Sequence, residues 1–311
     1  MLSIVFIIVG SAGAVFPQSA TPGHDTKIDS LQSIGFDIPI GELSKLLDFQ
    51  RSLFLDPTAK VNTDWNDKFD ELYVSEISST ANRYAYAIDS DQGNQFISIR
   101  GTANLRNALL DLEYWKARSA ILGINLHRGF EKAALAVFSD LEPRIKRDMP
   151  IIVSGHSLGA AEAIIVGMLL VKKGYNVEMV VASGLPKVTD EEGWKQYRSL
   201  PVIRIVAAYD FVPFLPPHNF YPASPYTQGG PLLMMLDGPY LAIADPSYFD
   251  DIPAASEIIG QIDAHFDVID HRIWTYCDRA KEKLGGMEIV PFKDWTKYAL
   301  PRGDSSDAPP K

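Results

Sequence analysis

The 311 residues include 29 Lys and Arg against 39 Asp and Glu, a net charge of −10, and 46% are hydrophobic. That composition buries a sizeable core and is not that of a disordered chain. With no basic block it argues against nucleic acid as a partner and against tight electrostatic attachment to anionic membranes. The single cysteine, Cys277, rules out an internal disulfide and a cysteine metal cluster.

Residues 1–16 are almost wholly apolar or small and resemble the hydrophobic core of an export signal, although the usual basic start is missing. Residues 1–24 are therefore read as a signal segment of a secreted or periplasmic protein, and the polar stretch 17–29 as a linker. Leu43, Leu46, Leu47 and Leu53 repeat at helical spacing over 41–54. Residues 83–89 and 94–100 alternate about Asp91-Gln92-Gly93, a hairpin signal. Residues 103–120 show no strand pattern, and 130–146 read as an amphipathic helix. Short Val- and Ile-rich strands at 150–154, 177–182 and 202–207 then alternate with helices, the first of them at 158–173. Such strands belong to a sheet buried on both faces. A second hairpin is expected at 232–236 and 240–244, whose Met234-Met235 pair reads as core, and a closing helix at 274–284. One α/β domain over 25–300 and a frayed tail over 301–311 follow from this pattern.

Gly155-His156-Ser157-Leu158-Gly159 fits G-x-S-x-G. The bare motif is weak, but here the apolar strand Ile151-Ile152-Val153 runs into it and the small-residue stretch Ala160, Ala161 and Ala163 leaves it. That is the strand–turn–helix of a nucleophile elbow, which lifts a serine hydroxyl above the sheet edge. The two glycines let strand and helix approach. The helix begins just past the serine, so the Leu158 N–H faces the place where an oxyanion would form.

A serine nucleophile needs a base, and the base an orienting carboxylate, in the chain order Ser, acid, His. Asp210 follows the strand 202–207 and precedes the Pro-rich run 212–217, which suits the acid. Asp190 follows a strand by a longer run and reads as a loop or helix-capping residue. Only His218, His265 and His271 come after Ser157. Phe211, Phe214 and Leu215, next to Asp210, are candidate pocket walls.

Five ordered segments carry a family resemblance: Ile99-Arg100-Gly101-Thr102, Leu126-His127-Arg128-Gly129-Phe130, the elbow, Ser183-Gly184-Leu185-Pro186-Lys187, and Asp210-Phe211-Val212-Pro213 through Pro217. Together they resemble the class 3 lipases, the fungal triacylglycerol lipases and their bacterial relatives, over roughly residues 60–285. The resemblance implies an α/β-hydrolase fold with a mostly parallel central sheet, helices on both faces and a short lid over 104–111. It implies Asp210 as the acid, and His271, in Asp270-His271 with Tyr276 beyond, as the base ahead of His265. Thr102 joins Leu158 as an oxyanion donor, and His127 packs against the elbow. Ile99 and Ala160 depart mildly from the family pattern.

The expected reaction is cleavage of carboxylic esters by a Ser157–His271–Asp210 triad, with an ester or lipid substrate, no cofactor, no metal and no obligatory protein partner. Phospholipase A1 and feruloyl-type esterase activities remain open within the class, as does a peptidase or thioesterase on the same fold. A non-catalytic lipid-binding protein on the same scaffold is the alternative from another class.

Overall fold

β-Branched side chains recur in short runs from residue 150 onward, and in the computed structural model these runs form the middle of one large sheet. The structure describes residues 26–28, 30–55, 58–76, 82–101, 115–216, 223–244 and 268–300. The strands are β1 (Thr26–Ile28), β2 (Glu71–Val74), β3 (Arg83–Asp89), β4 (Asn94–Arg100), β5 (Lys116–Arg118), β6 (Asn125–His127), β7 (Ile151–His156), β8 (Val177–Ser183), β9 (Val202–Ala207), β10 (Leu232–Met235), β11 (Tyr240–Ala244) and β12 (Met287–Ile289). Among the described residues ten of them pair in the order β1-β12-β11-β10-β9-β8-β7-β4-β3-β2, while β5 and β6 make a separate hairpin. From β4 through β7, β8 and β9 to β10 the neighbours run parallel.

Among the described residues the α-helices are α1 (Ile40–Ser52), α2 (Thr58–Trp65), α3 (Arg128–Leu141), α4 (Leu158–Lys172), α5 (Glu191–Gln196) and α6 (Ile273–Glu282). Successive side chains of a strand point to opposite faces. Ile151 and Val153 of β7 accordingly pack with Phe130, Val137, Ile164 and Ile165 of α3 and α4. Ile152 joins Leu43, Leu47, Ile273 and Tyr276 of α1 and α6 on the other face. Burial on both faces leaves no position for an alternating polar residue, which is why β7 reads as a continuous apolar run. The residues of β10 divide in the same way, Leu232 and Met234 to one cluster and Leu233 and Met235 to another, so the methionine pair is core.

α4 is buried at every position from Gly159 to Leu170, as a helix sandwiched between the sheet and α3 must be. Glu162 lies in that run, 3% exposed, and its Oε2 accepts a hydrogen bond of 3.0 Å from Asn82 Nδ2. Burial pushes its pKa up to about 8 from 4.5. The folded chain therefore holds a proton that the unfolded chain has already released. This group's contribution to stability is fully present below pH 4.5, is lost as pH rises toward 8, and stays absent above that. Glu162→Gln should remove this decline and make the protein more stable than the parent at pH 8.5, by on the order of a few kcal/mol. Denaturant unfolding of both proteins at pH 5 and 8.5 checks it. Equal pH dependence in parent and variant would contradict the assignment.

Several elements depart from the sequence reading. The segment read as a linker contains β1, which pairs antiparallel with β12 (Thr26 with Ile289). β5 lies inside the stretch read as having no strand. The helix expected to run to 146 stops at Leu141: Glu142 keeps helical backbone and donates to Phe138 O, and Pro143 has no N–H to continue the ladder. α2, β2, β6, α5 and β12 were not anticipated. The signal segment and the tail lie outside the described residues. No helix among the described residues is long and apolar enough to cross a membrane.

Candidate active site

The elbow sits where β7 meets α4. Ser157 adopts φ 60° and ψ −128°, a left-handed conformation that a non-glycine residue holds only when its surroundings enforce it, at a cost of about 1–3 kcal/mol. The surroundings are tight. A Cβ on Gly155 would stand 2.1 Å from the Gly159 carbonyl oxygen, and one on Gly159 would stand 2.3 Å from the Ile99 carbonyl oxygen. Ser157 N donates to Ser183 O at 2.9 Å, tying the turn to the end of β8. Leu158 opens α4, where the backbone N–H groups have no acceptor within the helix.

Asp210 lies just past β9, followed by the 3-10 turn Val212–Phe214. Its Oδ1 accepts from Val212 N at 2.9 Å. Its Oδ2 accepts from His271 Nδ1 at 2.7 Å and from the Tyr276 hydroxyl at 2.5 Å. Burial, and then the charge of Asp210, pushes the Tyr276 phenol well above its usual range, so it stays protonated and donates. His271 closes the 3-10 turn Val268–His271, and Tyr276 lies on α6 immediately after. Asp270 beside it meets the fully buried Arg279, with Nη2 3.4 Å from Oδ1. Arg279 also donates to Met235 O at 2.6 Å, so α6 fixes this turn to the end of β10.

His156, inside the elbow motif, stacks on His271 with ring centroids 4.8 Å apart and the planes inclined by 29°. Ser183 Oγ has one proton, offered to Gln50 Oε1 at 2.9 Å or Gly155 O at 3.1 Å. The 3.2 Å contact between His156 Nδ1 and Ser183 Oγ is then donated by the imidazole. Burial first, and the neighbouring His271 second, hold the His156 pKa well below 6.5. His271 is therefore stacked on a neutral ring.

The structure brings Asp210 and His271 together. It leaves Ser157 Oγ and His271 Nε2 both buried and without a hydrogen-bond partner among the described residues, so the two are not hydrogen-bonded to each other. Such contacts are commonly long before substrate arrives. Thr102, His218, His265 and the 104–111 segment lie outside the described residues. Asp190 caps α5, accepting from Gly193 N at 3.1 Å. His127 caps α3. Its Nδ1 accepts from Phe130 N at 3.3 Å, its ring stacks on Phe130, and burial lowers its pKa to about 4. Phe211 and Phe214 are buried beside Asp210. The Tyr276 contact and the His156–Ser183–Gln50 chain were missed, since a tyrosine on an amphipathic helix reads as core.

Among the described residues no three His, Cys, Asp or Glu side chains group as a metal would require. A cavity of about 600 Å³ lies elsewhere, between α1, α2 and the amino ends of β7 and β8, lined by Phe49, Trp65, Phe69, Ile152 and Met179. Ser157 and Asp210 instead follow the carboxyl ends of their strands, where open α/β sheets place their ligands.

A mostly parallel sheet with helices on both faces and a strained serine at a strand–helix elbow define the α/β-hydrolase fold. The family model described as Lipase (class 3) matches residues 96–220 of this chain. A lipase of Rhizopus niveus is 28% identical over 149 residues, covering 43% of this chain and 38% of the relative. A secreted mono- and diacylglycerol lipase of Fusarium solani is 28% identical over 163 residues, 47% of each. The chain thus spans less than half the length of these relatives. In fold it resembles lipase II from Rhizopus niveus at TM-score 0.58 and 19% identity, over 80% of this chain and 96% of that one. A triacylglycerol lipase whose catalytic centre is a serine protease triad resembles it with the same figures.

Proposed function

We propose that this protein is a serine hydrolase that cleaves carboxylic esters, with acylglycerols as the substrate class. The observation that carries the reading is the 2.7 Å contact between His271 and Asp210, on the same sheet edge as the strained Ser157. In the proposed mechanism the Ser157 hydroxyl attacks the ester carbonyl while His271 Nε2 takes its proton. Asp210 holds the Nδ1 proton and offsets the charge on the imidazolium. The Leu158 N–H, joined by Thr102 as the resemblance implies, stabilises the oxyanion. His271 then returns the proton to the leaving alcohol, and water repeats the cycle on the acyl-enzyme. Residues 25–300 act as one domain in this reading. The apolar stretch 1–16 and the secreted Fusarium relative support export.

A fluorophosphonate probe should label Ser157, read as an adduct on its peptide by mass spectrometry. Labelling at another residue would remove the assignment. Acyl-chain preference, and with it the choice between acylglycerol and phospholipid or feruloyl esters, is read from an ester series on the same protein.

A further inference from the structure

Trp115 is 63% exposed and Ile121 46% exposed, on the hairpin formed by β5 and β6. This hairpin is not loose. Lys116 donates to Ser224 O and lies 3.7 Å from Asp190. Asn125 Nδ2 donates to Asp190 at 2.8 Å, and Thr189 Oγ1 donates to Asn125 O at 2.5 Å. The tip is held as firmly, with Gln196 and Tyr197 both donating to Leu122 O and Leu122 N donating to Ser119 Oγ. Leu122 and Ile124 on either side of the tip are 1% exposed. The fold therefore pins Lys116, Leu122 and Asn125 of the hairpin and leaves the tryptophan and the isoleucine in water, where burial would favour them.

The position of the hairpin matters. Leu126 bridges to Thr189, and His127 N donates to Val188 O, in the loop that leaves β8. That is the sheet edge of Ser157 and Asp210. Three cations lie here in a chain whose net charge is −10. Arg118, Arg128 and Lys132 are exposed on and beside the hairpin, and none has an ion pair among the described residues. Arg128 N donates to Trp115 O at 2.9 Å, so that cation and the indole are cross-strand neighbours. Two apolar side chains are too few for a protein interface, which buries about 800 Å² per partner. They suit insertion at a lipid surface, where an indole prefers the headgroup level and arginines meet phosphate or carboxylate.

We propose that the outer edge of this hairpin, Trp115 and Ile121 flanked by Arg118, Arg128 and Lys132, docks on an anionic lipid–water interface. Docking there turns the Ser157 edge toward the lipid, and that second half rests on the esterase reading above. Hydrolysis of esters releases fatty-acid carboxylates into the same surface, so the interface grows more complementary as the reaction proceeds.

The test is co-sedimentation of the full chain with vesicles of phosphatidylcholine, alone or mixed with phosphatidylglycerol, beside turnover of a short soluble ester. The parent should sediment, and more with phosphatidylglycerol, a preference that weakens as salt rises. Trp115→Ser with Ile121→Ser should lower partitioning by at least about tenfold. Arg118→Gln, Arg128→Gln and Lys132→Gln together should abolish the lipid preference. Turnover of the soluble ester should stay within about twofold in both, because neither set touches the reacting groups. Partitioning equal to the parent in both variants overturns the proposal, as does a parent that stays in the supernatant or a dimer dissociated by the serine variant. A parent that sediments but hydrolyses no ester sinks the esterase reading and leaves the docking surface standing.

Discussion

Ser157→Ala should lower kcat for a soluble ester by at least about 10³-fold while leaving KM within a factor of about three. The hydroxyl is the atom that forms the covalent bond, and nothing nearby is positioned to replace it. The same substitution should not destabilise the fold. Ser157 Oγ is buried and has no hydrogen-bond partner among the described residues, so its removal breaks no bond and relieves an unsatisfied polar group, worth about 1–3 kcal/mol. Thermal unfolding should therefore place the variant at or above the parent Tm. An inactive variant with a raised Tm is the signature of a residue kept for chemistry at the expense of packing. Retained turnover would remove Ser157 from the reaction. A fall in Tm of several degrees would mean that the hydroxyl makes a bond the geometry does not contain.

Why some of this was legible in the sequence and some was not follows from where each feature gets its stability. The β3–β4 hairpin is local: Arg83–Asp89 alternates, and the ladder runs from Arg83 opposite Arg100 to Asp89 opposite Asn94. The elbow is local as well, since the glycines, the serine and the apolar strand lie within ten residues. Asp210 could be chosen from its place after a strand. The histidine could not be chosen from the residues alone, because His265 and His271 fit the same chain order. The contact that favours His271 spans 61 residues and depends on how α6 docks beneath the turn. Tyr276 depends on the same docking. β1 and β12 are three residues each, brought together from the two ends of the described chain, and neither has enough apolar alternation to announce a strand. β5 reads Lys-Ala-Arg and owes its place to the buried contacts of Lys116 rather than to any pattern.

The second large effect is expected at a position that carries no chemistry. Gly155→Ala should destabilise the protein by more than about 4 kcal/mol, or prevent folding at 37 °C. A Cβ there would meet the Gly159 carbonyl oxygen at 2.1 Å, the Gly159 carbonyl carbon at 2.5 Å and Ala160 N at 2.8 Å. All three are backbone atoms of the first turn of α4, so no rotamer change relieves them. The turn cannot retreat, because Gly159 already lies against Ile99 O and the Arg100 backbone. Any shift that admits the methyl group must move Ser157 and Leu158 together, and a displacement of about 1 Å costs about a hundredfold in rate. Whatever fraction folds should therefore also be slow. Gly41→Ala is the control: it lies in α1 with nothing within 4 Å of the added atom, and alanine should match or exceed the parent there by a few tenths of a kcal/mol. Chemical unfolding of the two variants reads the comparison directly. If Gly155→Ala unfolds at the parent midpoint and keeps parent activity, the approach of strand to helix is looser than these distances state, and the strain on Ser157 would then need a different source.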